Sequence, residues 1–476
     1  MRSEVNDPGS VFRRRRSADY GASVAHPEPH SATPRAVPTL YPCSVTDLRL
    51  VVGVAFDEEH ARSSTVDVVS YDVFVDLTGE GDTFCSRTEL GFRCRRDGAS
   101  VFADLQVVGV RRMIPNGEDL PSRDLHGDGR LELPRLGDEN TLNVEAEFSY
   151  AQEGGGLYRV ADSGDGTACV YSKGIEARAP RIFCCFDQPD LRAPMNVAVR
   201  APAGWCCRAN FPSVARPLDG EGGVWRFAPT SPLAPYLFAL CAGPEQGTVL
   251  AAESDRGQRV PLTVWAPLAV GDLLPAELFL GLVRQPLRYY EAALGVRYPY
   301  PKCDLVFVPA YPALAFSAPG LITFQERLLE PSETRPLLYL ASVMAHELAH
   351  AWVGGLVDMR YDRDMWFQEA LATYISRCAL SETQSGSAPW SAATSPSLPD
   401  HAYANDAAAL CQLEELIGRP AVMSGLASLM KHHAHRTITI DDLARSWSRA
   451  SGRDLRRWAT ETLIPATRPG GHEQAR

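Results

Sequence analysis

The 476-residue sequence contains no run of eighteen apolar residues, which excludes a membrane-spanning helix. It has no excess of positive charge: 47 Lys and Arg stand against 58 Asp and Glu, a net charge of −11. That balance argues against nucleic acid as the main partner. The basic cluster Arg13-Arg14-Arg15-Arg16 is not followed by an apolar stretch. The second part of a secretory signal is therefore missing, and the sequence reads as cytoplasmic. None of the twelve cysteines forms a CxxC pair, and two pairs, Cys184-Cys185 and Cys206-Cys207, are vicinal. Neighbouring cysteines rarely bridge, so the pattern predicts reduced thiols acting as small buried hydrophobes rather than a second zinc site. No internal repeat is evident.

What is present fits an ordinary soluble globular chain, 45% apolar and 22% charged, long enough for two to four domains. Residues 1–46 are rich in Arg, Ser, Pro and His without apolar periodicity and read as a disordered tail; residues 467–476 read likewise. From about Ser70 the pattern alternates, as in Tyr71 to Leu77, which predicts half-buried strands. Arg93 to Gln106, Thr141 to Tyr150, Asn196 to Arg200 and Trp225 to Ala228 continue it, so residues 47–247 read as an all-β domain. Pro261 to Ala266 opens a second domain, 248–466, with further strands at Cys303 to Pro309 and Leu321 to Phe324. Leu278 to Leu294 is helical by spacing with a kink at Pro286, and beyond Phe324 the chain reads as helical to its end. Gly154 to Gly156 is a turn without the strand-to-helix context of a phosphate loop. His432, His433 and His435 fall at a helix C-terminus, where cations complement the dipole.

One stretch carries chemistry. Val343 to Tyr374 contains His346-Glu347-Leu348-Ala349-His350 and, after eighteen intervening residues, Glu369. Residues four apart share a helix face, so His346 and His350 aim two imidazoles at one point. Two His and one Glu, with a fourth position left for water, are an established catalytic zinc set. H-E-x-x-H is the zinc-hydrolase pattern in which the Glu, here Glu347, is the general base. Leu340 to Val353 predicts the carrying helix, Gly354-Gly355 its stop, and Asp364 to Cys378 a second helix delivering Glu369. Asp364 is placed either to orient a ligand histidine or to cap that helix.

These residues resemble the aminopeptidase N and leukotriene hydrolase family of zinc metallopeptidases, whose pattern is HExxH-x18-E. The likeness extends further. Pro319 to Phe324 resembles the family's active-site edge strand, and Phe183 to Ala193, FCCFDQPDLRA, its FxCFDEPxxKA segment. The resemblance spans about Ser70 to Pro465. It implies an all-β, saddle-like N-terminal domain followed by a thermolysin-like α+β catalytic domain, and one zinc ion per chain. It also implies Tyr403, in His401 to Ala407, as the oxyanion donor. The sequence is expected to lack the family's further C-terminal helical domain. The resemblance therefore implies a more open cleft, or one covered by a partner subunit in an oligomer, able to admit a bulky or carrier-borne substrate.

Two departures matter. The family's GxMEN motif, which supplies a Glu for the substrate's α-amine, aligns with Leu314-Ala315-Phe316-Ser317-Ala318, placing Ser317 at the Glu. The second amine anchor, a Gln, aligns with Lys173. An ammonium group would meet a cation where the family offers an acceptor. The substrate-binding positions Ser317, Lys173, Ala315, Phe316 and Ala318 thus suit a carboxylate, phosphate or blocked acyl group. The leading expectation is a zinc hydrolase for a small-molecule or peptide-like amide or ester lacking a free α-amine. Two alternatives stand beside it. One is a conventional cytosolic aminopeptidase with a relocated anchor, Glu326 or Asp187. The other is a non-catalytic binding module retaining the fold.

Overall fold

The computed structural model describes residues 56–119, 125–126, 129–161, 168–173, 179–218, 220–253, 259–267, 276–329, 337–384 and 401–463. The two tails expected at 1–46 and 467–476 lie outside these residues.

Period-2 alternation builds the first half. Val66–Asp76 and Thr83–Cys94 pair antiparallel around a turn in which Gly81 takes φ 99°. They form the centre of a seven-stranded sheet. Its spatial order is Ser213–Ala215, Gly223–Phe227, Met195–Ala201, Val66–Asp76, Thr83–Cys94, Glu139–Ser149, Gly109–Pro115. The alternating stretch from Arg93 to Gln106 falls on two strands with a turn between them. Thr83–Cys94 ends, the chain turns through Gly98 at φ 73°, and Val101–Asp104 starts a separate three-stranded sheet.

A four-stranded sheet, ordered Cys206–Ala209, Leu240–Gly243, Ala168–Lys173, Gly156–Ala161, forms the layer between the two halves. Successive side chains on a strand face opposite ways. Val170, Leu240 and Ala242 therefore join the core of the seven-stranded sheet. Tyr171 and Cys241 join a second cluster with Val306, Val308, Tyr311, Ala318 and Leu321 of the following half.

The second half is a five-stranded sheet, ordered Glu245–Glu253, Arg259–Pro267, Cys303–Val308, Leu321–Gln325, Ala315–Ala318, with helices packed on it. The helices of the described residues are α1 (Phe56–Thr65), α2 (Ala276–Leu294), α3 (Leu337–Ala349), α4 (Trp366–Gln384), α5 (His401–Ile417), α6 (Arg419–His432), α7 (Ile440–Ser451) and α8 (Arg456–Thr462). Pro286 lies inside α2. A capping box, Thr439 with Asp442, opens α7, and Gly452 in the left-handed region closes it. Among the described residues, two strands interrupt the expected all-helical end, Val357–Met359 and Arg436–Ile438, which pair in parallel.

The helix expected over Leu340 to Val353 ends earlier, at Ala349. Its last turn tightens, with Ala351 N donating to Leu348 O at 3.2 Å and Trp352 N to Ala349 O at 3.0 Å. Gly354, at φ 94°, and Gly355 then reverse the chain. A Cβ on Gly355 would lie 2.5 Å from Tyr300 Oη and 2.8 Å from His350 O, so only glycine fits. No helix among the described residues is long and apolar enough to cross a membrane.

Candidate active site

His346 sits in the last turn of α3 and His350 just past its end, while Glu369 projects from the first turn of α4. The structure brings the three together. His346 Nε2 and His350 Nε2 are 3.2 Å apart. Glu369 Oε2 lies 3.2 Å from His346 Nε2, and Glu369 Oε1 3.4 Å from His350 Nε2. Among the described residues this is the group of His, Cys, Asp or Glu side chains placed to hold a metal ion. Ligand atoms of a tetrahedral site with bonds of about 2.1 Å lie roughly 3.4 Å from one another. The donor set thus has the composition and the spacing of a zinc site. His432, His433 and His435 form no such group.

The atoms behind the rings are fixed too. His350 Nδ1 is 3.0 Å from Val353 O, and His346 Nδ1 is 3.4 Å from Thr373 Oγ1. Both contacts engage Nδ1, leaving the Nε2 of each ring turned toward the other and toward Glu369. Asp364, expected as an orienter or cap, does neither by these contacts: it is buried in the turn before α4, 3.8 Å from Arg363, and burial pushes its pKa up to about 6. Sequence reasoning missed Val353 and Thr373. A backbone carbonyl leaves no sequence signal, although Thr373, four residues after Glu369, was accessible from helical spacing.

Charges are strongly coupled here. Burial alone would lower the His350 pKa, but Glu369, Glu347 and the Val353 carbonyl together push it up to about 9. Burial would raise Glu369, and the two imidazoles override it, holding its carboxyl well below the usual range. Glu347 is buried beside them. Desolvation raises its pKa, against the pull of His346 and His350 and with the help of Glu369.

The other predicted residues fall on the strands and helices as follows. Ala315–Ala318 forms the edge strand of the five-stranded sheet, with Ser317 opposite Ile322 and α3 packed against it. Ala315, Phe316 and Ser317 are half-buried, and Ala318 is buried. Lys173 ends the strand Ala168–Lys173, opposite Gly156, with its side chain buried. Two residues earlier, Tyr171 Oη donates to Ala310 O at 3.2 Å, which holds Lys173's strand against the loop leading to Ala315–Ala318. Tyr403 lies in the first turn of α5, which packs on α4. Glu326 opens the single turn after Leu321–Gln325. Asp187, the other suggested anchor, belongs elsewhere. It is buried, its Oδ2 accepts from Ala179 N at 3.1 Å, and its own N–H donates to Asp104 Oδ2 at 2.9 Å.

Two imidazoles and a carboxylate at ligand spacing, with a second carboxylate on the helix between the imidazoles, define a zinc metallopeptidase centre of the HExxH kind. Residues 70–237 match the peptidase M1 N-terminal domain and residues 279–401 the peptidase family M1 domain. The chain belongs to peptidase family M1. It is 31% identical over 446 residues to an aminopeptidase N from Streptomyces lividans, covering 86% of this chain and 52% of that protein. It is 24% identical over 442 residues to a leucyl aminopeptidase from Saccharolobus solfataricus, covering 85% of this chain and 54% of that protein. A glutamyl aminopeptidase from Rattus norvegicus is 25% identical over 331 residues, 65% of this chain and 34% of the relative. The chain thus spans about half the length of the first two of these curated relatives. A mostly β N-terminal domain followed by a catalytic domain with helices is the order both the matches and the sheets give.

Proposed function

We propose that this chain is the catalytic part of a zinc-dependent aminopeptidase, cleaving a peptide bond next to a free N-terminus. The observation that carries it is the convergence of His346, His350 and Glu369 beside Glu347. The relatives named aminopeptidases favour this reading over the more specialised substrate without an α-amine.

The zinc ion would be held by His346, His350 and Glu369 and would supply a Lewis acid that acidifies water and polarises a carbonyl. Glu347 takes a proton from the attacking water and returns it to the leaving amine. Tyr403 donates to the oxyanion as it develops. The edge strand Ala315–Ala318 aligns the substrate backbone by adding it as a further strand. We further read the catalytic domain as thermolysin-like, spanning 248–466, with the β domain at 47–247. Glu326 is the remaining carboxylate for the substrate's ammonium group, because Asp187 is committed to the β-domain interior.

Ser317 and Lys173 support a second reading, a substrate whose amine is absent or blocked. A panel of aminoacyl chromogenic amides, free and N-acetylated, separates the two. The aminopeptidase reading predicts turnover of the free amides that disappears on acetylation. Turnover confined to the acetylated set would replace it with the second reading.

A further inference from the structure

Arg192 belongs to the β half of the molecule, just before the strand Met195–Ala201. Its backbone is pinned by its neighbour: Ala193 and Leu233 exchange both N–H···O bonds, at 3.1 and 3.0 Å. Its side chain is 4% exposed and reaches across to the turn that follows α3. There Nη2 donates to Gly355 O at 2.5 Å, and Nη1 lies 3.9 Å from Asp358 Oδ2. Asp358 is itself held, accepting from Tyr236 Oη at 2.8 Å and from Met359 N at 2.8 Å.

Gly355 is one hydrogen bond from a metal-ligand candidate. Its N–H donates to His350 O at 3.0 Å. The same turn carries Val353, whose carbonyl faces His350 Nδ1 at 3.0 Å. The guanidinium thus grips the carbonyl side of a peptide unit whose neighbour grips His350. Neither glycine of the turn has a Cβ to stiffen it. Gly354 and Gly355 leave the backbone freedom that an external clamp removes. The clamp is also dry, and a charge-assisted hydrogen bond is stronger there than in water. Arg192 Nε and Nη1 make no hydrogen bond of their own, so the arginine is buried at a cost and commits its hydrogen bonding to this carbonyl.

We propose that Arg192 is a positioning residue for the metal site: from the β domain it sets the turn that aims His350. This inference rests on the zinc reading above. It makes the β domain part of the metal site's frame, so that zinc affinity depends on a residue outside the catalytic domain.

The test uses the full chain, stripped with a chelator and titrated with zinc against a fluorescent competitor. Cobalt(II) is substituted in parallel, because its visible bands report ligand geometry. Outer partners of metal ligands carry about 10–100-fold in affinity. Arg192→Met is expected to weaken zinc binding about tenfold and to shift the cobalt bands, with the melting temperature of the metal-free protein changed far less. Arg192→Lys keeps the charge and one donor and should fall between. A folded Arg192→Met with the zinc affinity and cobalt spectrum of the parent overturns the proposal. If Arg192→Met does not fold, Arg192→Lys decides alone, and no change in either readout overturns it. Failure of the parent chain to bind one zinc would instead sink the reading on which the inference rests.

Discussion

His346 Nε2 and Glu369 Oε2 lie 3.2 Å apart although the two residues are 23 positions apart in the chain. They reach one point because α3 stops at Ala349, Gly354-Gly355 turns the backbone, and α4 returns with Glu369 in its first turn. That geometry sets what each substitution should do.

Glu347→Gln removes the base and leaves the three ligand positions untouched. General-base assistance contributes typically about 10²–10⁴-fold. Turnover of the best amide should fall by at least that factor, while zinc content stays at the parent level. Loss of zinc from this variant would mean that Glu347 is a ligand rather than the base.

Thr373→Val takes away the hydroxyl facing His346 Nδ1 and keeps the volume. Zinc affinity should drop about tenfold, the lower end of what outer partners carry. Competition against a chelator measures it, and parent-like affinity would assign Thr373 to packing alone.

Tyr403→Phe tests the oxyanion donor. Removing one such donor costs about 10²–10³ in kcat. The expected signature is a kcat loss of that size with KM little changed. A change in KM alone would place Tyr403 in substrate binding instead.

These assignments differ in how far the sequence alone supports them. The cluster of His346, His350 and Glu369 beside Glu347 was legible because the two histidines stand one helical period apart and because the HExxH-x18-E resemblance points to Glu369. The β half was legible through alternation, as in Val66–Asp76. α1 was not, because its inward residues are polar: Glu59 and Arg62 are buried, and Arg62 bonds Asp104 and Gln188. Apolar periodicity cannot reveal a helix that packs through an ion pair. Arg192 and Val353 were equally hidden, since their contacts use backbone carbonyls brought close only by the tertiary fold. Asp187 misled for the converse reason: a carboxylate in a family-like segment turns out to be buried in the β-domain interior.

Ser317→Glu puts a carboxylate on the edge strand Ala315–Ala318, which the proposed function assigns to substrate binding. A new charge-assisted bond to an ammonium group is worth about 1.5–3 kcal/mol, or roughly 10–100-fold. Under the aminopeptidase reading kcat/KM for free aminoacyl amides should rise by about that factor, and acetylated amides should not respond. An equal rise for both sets would show that the strand does not face the amine.

Stability should fall as pH rises from about 4 to 7. Burial raises the Asp358 pKa to about 7, against the pull of Arg192, Tyr236 and Met359 N–H. The folded chain then holds a proton that the unfolded chain, with its ordinary carboxylate, has released. Between the two pKa values folding binds the extra proton, so unfolding free energy declines with pH, by on the order of 4 kcal/mol at most for this group. Urea titrations across that range check the slope, which Asp358→Asn should flatten. A parent slope of opposite sign, or one unchanged in Asp358→Asn, would contradict the assignment.

The most direct measurement is anomalous diffraction at the zinc edge from crystals of the purified chain. The account predicts one peak per chain, about 2.0–2.2 Å from His346 Nε2, His350 Nε2 and a Glu369 oxygen. No peak at that point in a zinc-saturated crystal, or a peak held by other residues, would contradict it.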